Sequence, residues 1–349
     1  MRIAVDAMGG DYAPAEIVKG TLKAAAIYPH LELILIGKKE LLQPYLPSVG
    51  IAKSISFQEA SEVITMDEHP AKAVRNKKDA SIVVATRLVK AGLADAVVGA
   101  GSTGAQMAAA LLGLGRIKGI ERPAIATVMP TLDGGKLVLD VGANPDARPE
   151  HLLQYAIMGS VYAEKILGMI HPRVGLLNIG SEEGKGNELT QTAFQLLKTA
   201  PVNFIGNIEG RDVPYGRADV IVCDGFVGNV LLKTAEGLVG ALFELIKEKI
   251  TATSFRKFGA LLVKPGLREI AQTMNPDEYG GAPLLGVKGI SIICHGSSKE
   301  KAIFNAIRVA QECITVNLTE QFIPEAESDV RSQKSEVGTE VRSPRSDRG

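Results

Sequence analysis

Apolar residues in this chain follow two rhythms, and the switch between them marks most of its elements. Val220 to Cys223 is a short continuous apolar run, the pattern of a strand buried on both faces. It breaks into Asp224-Gly-Phe-Val-Gly-Asn229, after which Val230, Leu231, Thr234 and Leu238 recur at helical spacing. Strand, glycine-bearing loop and helix are expected in that order. Residues 95–104 followed by the apolar stretch 105–114 repeat the plan. Further strands are expected over 2–6, 31–36, 137–141, 173–179 and 290–294. Helices are expected over 14–28, 79–91, 149–167, 188–199 and 231–250, with a last one after Ser298 to about residue 322. Residues 59–78 read as irregular and charged.

Strands that alternate with helices predict a three-layer α/β fold, a mainly parallel sheet with helices on both faces. One catalytic unit is expected over 1–324, with a helical projection over about 228–275. From Pro324 the chain turns charged and serine-rich, so 325–349 is expected to be a disordered tail.

Composition narrows the function. Lys plus Arg equals Asp plus Glu at 39 each, so no basic excess points to nucleic acid. No apolar run reaches the roughly 18 residues of a spanning helix, and none is expected. Met1 to Asp6 leads straight into a strand, without the architecture of a signal peptide. Cys223, Cys294 and Cys313 show neither paired spacing nor a zinc pattern, which fits a reducing cytoplasm. His30, His69, His151 and His171 lack i, i+4 partners, so no metal site is expected.

Candidate chemistry sits at the ends of the strands, where open α/β sheets bind ligands. These positions are Gly9, Gly10 and Asp11; Gly101, Ser102, Thr103 and Gly104; Asn144; Asn178, Gly180 and Gly186; Gly225 and Gly228; and Ser297. Backbone N–H groups at a helix start lack intrahelical partners and favour an anion, although a plain tight turn has the same sequence pattern. Lys185 lies between Gly184 and Gly186, which lets the backbone approach a ligand beside its ammonium; a solvated loop lysine is the alternative. Asn229 either caps its helix or turns its amide to the site, and Asp224 ends a strand. His295 is either a proton donor or a histidine bonded to its own loop. Gly99-Ala-Gly-Ser-Thr-Gly104 fits the dinucleotide-binding pattern, but Glu121 lies in a loop rather than at a strand end, so no cofactor is expected. Walker and Gly-x-Ser-x-Gly motifs are missing, and Cys223 reads as core. The residues favour two substrates reacting directly, held by dipoles and one or two charges.

Taken together, several motifs resemble one family. They are Ile3 to Asp11, Gly101 to Ala105, Leu139 to Asn144, Gly175 to Gly180, Lys185 to Glu188, Cys223 to Asn229, Tyr279 to Ala282 and His295 to Ser298. Over about residues 1–322 the chain resembles the PlsX family of bacterial phosphate acyltransferases. The resemblance implies transfer of a long-chain acyl group from acyl carrier protein to inorganic phosphate, without a cofactor. The acyl phosphate would feed a membrane glycerol-3-phosphate acyltransferase. A homodimer with an isopropylmalate-dehydrogenase-like or phosphotransacetylase-like fold is also implied. Gly99, Ser102 and Val227 depart from residues common in the family, which weakens side-chain ligand roles for Ser102 and Val227. On this reading Lys185, Asn229, His295 and Asp224 carry the chemistry, with Lys185 offsetting charge repulsion and His295 protonating the departing thiolate. A metal- and nicotinamide-dependent hydroxy-acid dehydrogenase on a related fold, and a non-enzymatic carrier-binding scaffold, remain alternatives.

One stretch has its own pattern. Phe255, Phe258, Gly259 and Leu262 share one helical face, with Arg256, Lys257, Lys264 and Arg268 nearby against the single acid Glu269. Pro265 and Gly266 are expected to end or kink the helix. Such a face suits either an anionic membrane surface, with Phe255, Phe258 and Leu262 in contact, or a partner subunit.

Overall fold

The computed structural model describes residues 1–46 and 54–322, so the expected tail over 325–349 lies outside the described residues. β1 (Arg2–Asp6) leads to α1 (Ala15–Ile27), β2 (Glu32–Gly37), the short α2 (Lys39–Leu42) and β3 (Ile55–Glu59). α3 (Pro70–Asn76) and α4 (Ser81–Lys90) precede β4 (Ala96–Gly99) and α5 (Thr103–Gly113). Next come β5 (Ala124–Thr131), β6 (Gly134–Leu139), α6 (Pro149–Lys165), β7 (Arg173–Asn178), α7 (Glu188–Thr199) and β8 (Asn203–Glu209). β9 (Val220–Val222) opens into α8 (Gly225–Ile250) and α9 (Ser254–Thr273). β10 (Ala282–Leu285), β11 (Ile290–Ile293) and α10 (Glu300–Thr315) follow.

The strands form one sheet of 11, in the order β3-β2-β1-β4-β11-β10-β5-β6-β9-β7-β8. The sheet is mostly parallel, as expected, but its centre is not: β11–β10, β10–β5 and β5–β6 are antiparallel. These three reversals leave β6, β9, β7 and β8 running opposite to β1, β4 and β11. The carboxyl ends of the two parallel sets therefore lie at opposite ends of the strand direction.

Alternation along the strands sorts the core onto two faces. Ile3 and Val5 of β1 and Leu137 and Leu139 of β6 join one core, shared with α1, α6, α7 and α10. Ala4 faces α3, α4 and α5. Val138, Ile221 and Cys223 face the start of α8 and one side of α5. The three-layer plan follows directly, and Cys223 is core as expected.

The helices depart from expectation in places: α3 forms inside the stretch 59–78 read as irregular, with Pro70 in its first turn. α8 begins at Gly225 because Asp224 caps it, its Oδ1 accepting from Phe226 N and Val227 N at 3.0 Å each. α9 continues through Pro265 to Thr273, although the proline offers no N–H to the helix. An 18-residue window of the 26-residue α8 has a mean hydropathy of 1.3, which by length and composition alone is apolar enough to span a membrane, contrary to expectation. Its start is tied to the sheet through Asp224, and Lys233 and Glu236 pair on it at 2.8 Å.

Candidate active site

β6, β9 and β7 are neighbours, with Leu139 and Leu176 both paired to Val222, so their ends stand side by side. Asp140 follows β6 and is fully buried. Its carboxylate accepts from Ile125 N at 3.1 Å, Gly142 N at 3.2 Å, Ala143 N at 2.9 Å, Asn144 N at 2.7 Å and Asn144 Nδ2 at 3.0 Å. Burial pushes the carboxyl up, while these hydrogen bonds pull it back toward the charged form. The bonds fold the 141–144 loop around Asp140. Asn144 is part of that clamp: its Nδ2 also donates to Pro123 O at 2.7 Å, which leaves no amide hydrogen for a ligand.

The neighbouring start of α8 is closed as an anion seat. Gly225 N donates to Asn144 O at 2.9 Å, Phe226 N and Val227 N donate to Asp224, and Gly228 N donates to Asp224 O at 2.9 Å. The carboxylate of the chain itself occupies the place expected for a ligand. Gly225 and Gly228 are there for fit, because a Cβ on Gly228 would stand 1.9 Å from Asp140 O. Asn229 is not the cap; it lies exposed on the next turn, against Gly142.

The start of α7 is open. Asn187 caps it through Thr190 N at 3.0 Å, and among the described residues the N–H groups of Gly186, Asn187, Glu188 and Leu189 make no hydrogen bond. Asn178 Nδ2 holds the loop by donating to Lys185 O at 3.1 Å, and the Lys185 side chain is exposed. Gly186 is required twice over: its φ is +99°, and a Cβ would lie 2.0 Å from Thr190 Oγ1 and 2.4 Å from Asn178 Oδ1. Gly180 faces the Lys185 stem in the same loop.

The remaining candidates gather at the ends of β1, β4 and β11. Gly9 abuts Gly101, Gly10 abuts Ala100 O and Gly296 O, and Asp11 N donates to Gly296 O at 2.8 Å. Ser102 caps α5 through Ala105 N at 3.3 Å, leaving the N–H groups of Gly101, Ser102, Thr103 and Gly104 without hydrogen bonds among the described residues. Ser297 N donates to His295 Nδ1 at 3.2 Å, which places the imidazole proton on Nε2. Ser297 Oγ lies 2.7 Å from the same nitrogen. Asp6, buried at the end of β1, has its carboxyl raised by burial.

The structure thus divides the candidates. Lys185, Asp224, Asn229, Asn144 and Asn178 belong to one set of strand ends and His295 to the other, and among the described residues no hydrogen bond joins the sets. Sequence reasoning passed over Asp140. The signal was there: Asp6-Ala-Met-Gly-Gly and Asp140-Val-Gly-Ala-Asn both place a carboxylate between a strand and a tight loop.

A family profile described as "Fatty acid synthesis protein" matches residues 1–321. A phosphate acyltransferase of Desulfitobacterium hafniense (strain DSM 10664 / DCB-2) is 70% identical over 323 residues, 92% of this chain and 96% of that protein. The chain belongs to the phosphate acyltransferase family. It is accordingly an enzyme, an acyltransferase. A second phosphate acyltransferase, from Heliobacterium modesticaldum (strain ATCC 51547 / Ice1), is 61% identical over 91% of this chain and 95% of its own length. Among solved structures, EutD phosphotransacetylase from Staphylococcus aureus matches with a TM-score of 0.57 at 18% identity, over 89% of this chain and 94% of that one. A phosphotransacetylase from Streptococcus pyogenes matches at 0.58 and 18% identity, over 90% and 94%. At that identity the likeness is one of fold alone. For this phosphate acyltransferase family member, the matched span takes in every strand end described above.

Proposed function

We propose that this acyltransferase moves a long-chain fatty acyl group from acyl carrier protein to inorganic phosphate, giving acyl phosphate for phospholipid synthesis. A phosphate oxygen attacks the thioester carbonyl carbon, the carbon–sulfur bond breaks, and the thiolate leaves to take up a proton. Phosphate is partly dianionic at neutral pH and needs little base assistance, so the demand falls on placing one anion beside a second, developing one. The observation that carries the reading is the open start of α7: four unengaged N–H groups with Lys185 beside them, next to strand ends bearing Asp224 and Asn229. The amides seat phosphate, Lys185 offsets its repulsion with the oxyanion, and the Asn229 amide donates to that oxyanion. His295, at the other set of strand ends, has no part in this step, and thiolates leave readily without an acid.

The enzyme works as a cytoplasmic homodimer against the inner face of the membrane, where it passes acyl phosphate to a membrane glycerol-3-phosphate acyltransferase. Phe255, Phe258 and Leu262 support this reading, since their side chains are 87%, 65% and 74% exposed on α9.

The test is incubation with radiolabelled long-chain acyl carrier protein, with and without phosphate. Acyl phosphate forms only with phosphate present. A stable acyl-enzyme formed without phosphate would overturn the direct route, and complex formation without loss of thioester would make the protein a scaffold.

A further inference from the structure

A cleft of about 580 Å³ opens beside Asn144 and is lined by three arginines, Arg116, Arg122 and Arg148, and a single acid, Glu121. Glu121 is spent on two of them. Its carboxylate pairs with Arg148 and its carbonyl accepts from Arg116. Behind it, Arg148 N donates to His151 Nδ1 at 3.0 Å, and His151 Nε2 lies 3.3 Å from the Glu121 carboxylate and 3.4 Å from Arg148 Nε. Arg122 is left over: among the described residues its guanidinium makes no ion pair and no hydrogen bond. Two positive charges thus stand uncancelled around the opening. A guanidinium fork matches the oxygens of a phosphate better than any other common anion but carboxylate.

The cleft also leads somewhere. Pro123, next to Arg122, accepts from Asn144 Nδ2 at 2.7 Å, and Asn144 O accepts from Gly225 N at 2.9 Å. From the arginines to the start of α8 is therefore a path of directly bonded groups. Arg148 is 62% exposed at the mouth, Asn144 is half-buried at the inner end, and Met107 and Leu111 of α5 give an apolar side wall. The volume is far more than one tetrahedral anion fills, a water-sized group taking about 30 Å³. Its charged mouth, partly apolar wall and polar inner end fit an extended arm with a phosphate at its outer end and a thioester at its inner end.

We propose that this cleft holds the pantetheine arm of the thioester donor, with the arm's phosphodiester on Arg122. The assignment rests on the carrier-thioester reading above. Free phosphate shares the chemistry, so the test separates the two sources. The same acyl chain is presented on 4′-phosphopantetheine and on pantetheine, which lacks the phosphate, and kcat/KM is measured for each with wild type and Arg122→Ala. Binding of the two free arms is measured by calorimetry.

Wild type prefers the phosphorylated arm, and Arg122→Ala loses about tenfold of that preference or more, mainly through donor KM. Calorimetry follows the same ratio. If wild type binds both arms alike, or the preference survives in the variant, the assignment is wrong. If KM for inorganic phosphate rises while the donor preference persists, the arginines hold the acceptor and the assignment is again wrong. Failure of the underlying function shows separately, as no acyl phosphate from wild type with any donor.

Discussion

At the scale of single residues, exposure separates chemistry from architecture. Asp140, Asn144 and Asn178 spend their polar atoms on the loops that hold them, whereas Lys185 and Asn229 are exposed with no such duty shown. Lys185→Ala and Asn229→Ala should therefore leave the melting temperature unchanged and lower acyl-phosphate synthesis by about tenfold or more, as lost transition-state contacts do. Rates unchanged at saturating phosphate in both variants would remove them from the site. Much of this scale was legible in sequence, because glycine and polar residues after an apolar run mark a strand end directly. The direction of each polar group was not legible. Asp224 reads as a site carboxylate, yet its Oδ1 binds the next two backbone amides. Asn144 reads as a ligand, yet it closes a loop. Tracing where each backbone N–H goes requires coordinates, since one helix start is filled by its own cap and another is left open.

At the scale of elements, sequence reading failed where local pattern was weakest. Pro283 argues against a central strand, yet it pairs with Ile292 inside the sheet. Gly206, with a φ of +93°, interrupts β8 beside a register shift, and this spoils the alternation by which a strand is recognised. The helical pair α8–α9 was visible because its apolar period is long, but the period does not say what covers the face. Phe258 and Leu262 are largely exposed, as are Leu238 and Leu242 of α8. Among the described residues, Arg256, Lys257, Lys264 and Arg268 form no ion pair, so the pair presents bare positive charge beside its apolar face. Vesicle flotation decides what covers it. Wild type should float with phosphatidylglycerol vesicles, less so in high salt, while Phe258→Glu stays dimeric in solution. A variant that falls apart to monomers, or a wild type that never floats, gives this face to the subunit interface instead.

At the scale of the whole molecule, the mixed centre of the sheet gives the two parallel halves opposite directions, so the end of β6, β9 and β7 remote from Asp140 lies on the side of the β1, β4 and β11 carboxyl ends. Asp219 ties it together. Its carboxylate takes Arg173 Nε at 2.9 Å, Arg173 Nη2 at 3.0 Å, Arg173 N at 2.9 Å and Lys136 Nζ at 2.8 Å, and Lys136 also pairs with Asp133 at 2.9 Å. Burial alone would raise the Asp219 carboxyl, but Arg173 and Lys136 outweigh it and hold it far below the usual carboxylate range. A carboxyl with a folded pKa below its unfolded one adds stability that is complete above the unfolded value, about 4, and is lost as the pH falls toward the folded one. Asp219→Asn leaves Lys136 buried with less compensation, so it should melt several degrees below wild type at neutral pH. That gap should hold down to about pH 5 and narrow steadily toward about pH 3, as wild type loses what the variant never had. Melting curves of both proteins across this range give the answer: a gap that stays constant with acid would mean that Asp219 contributes through packing and not through its charge.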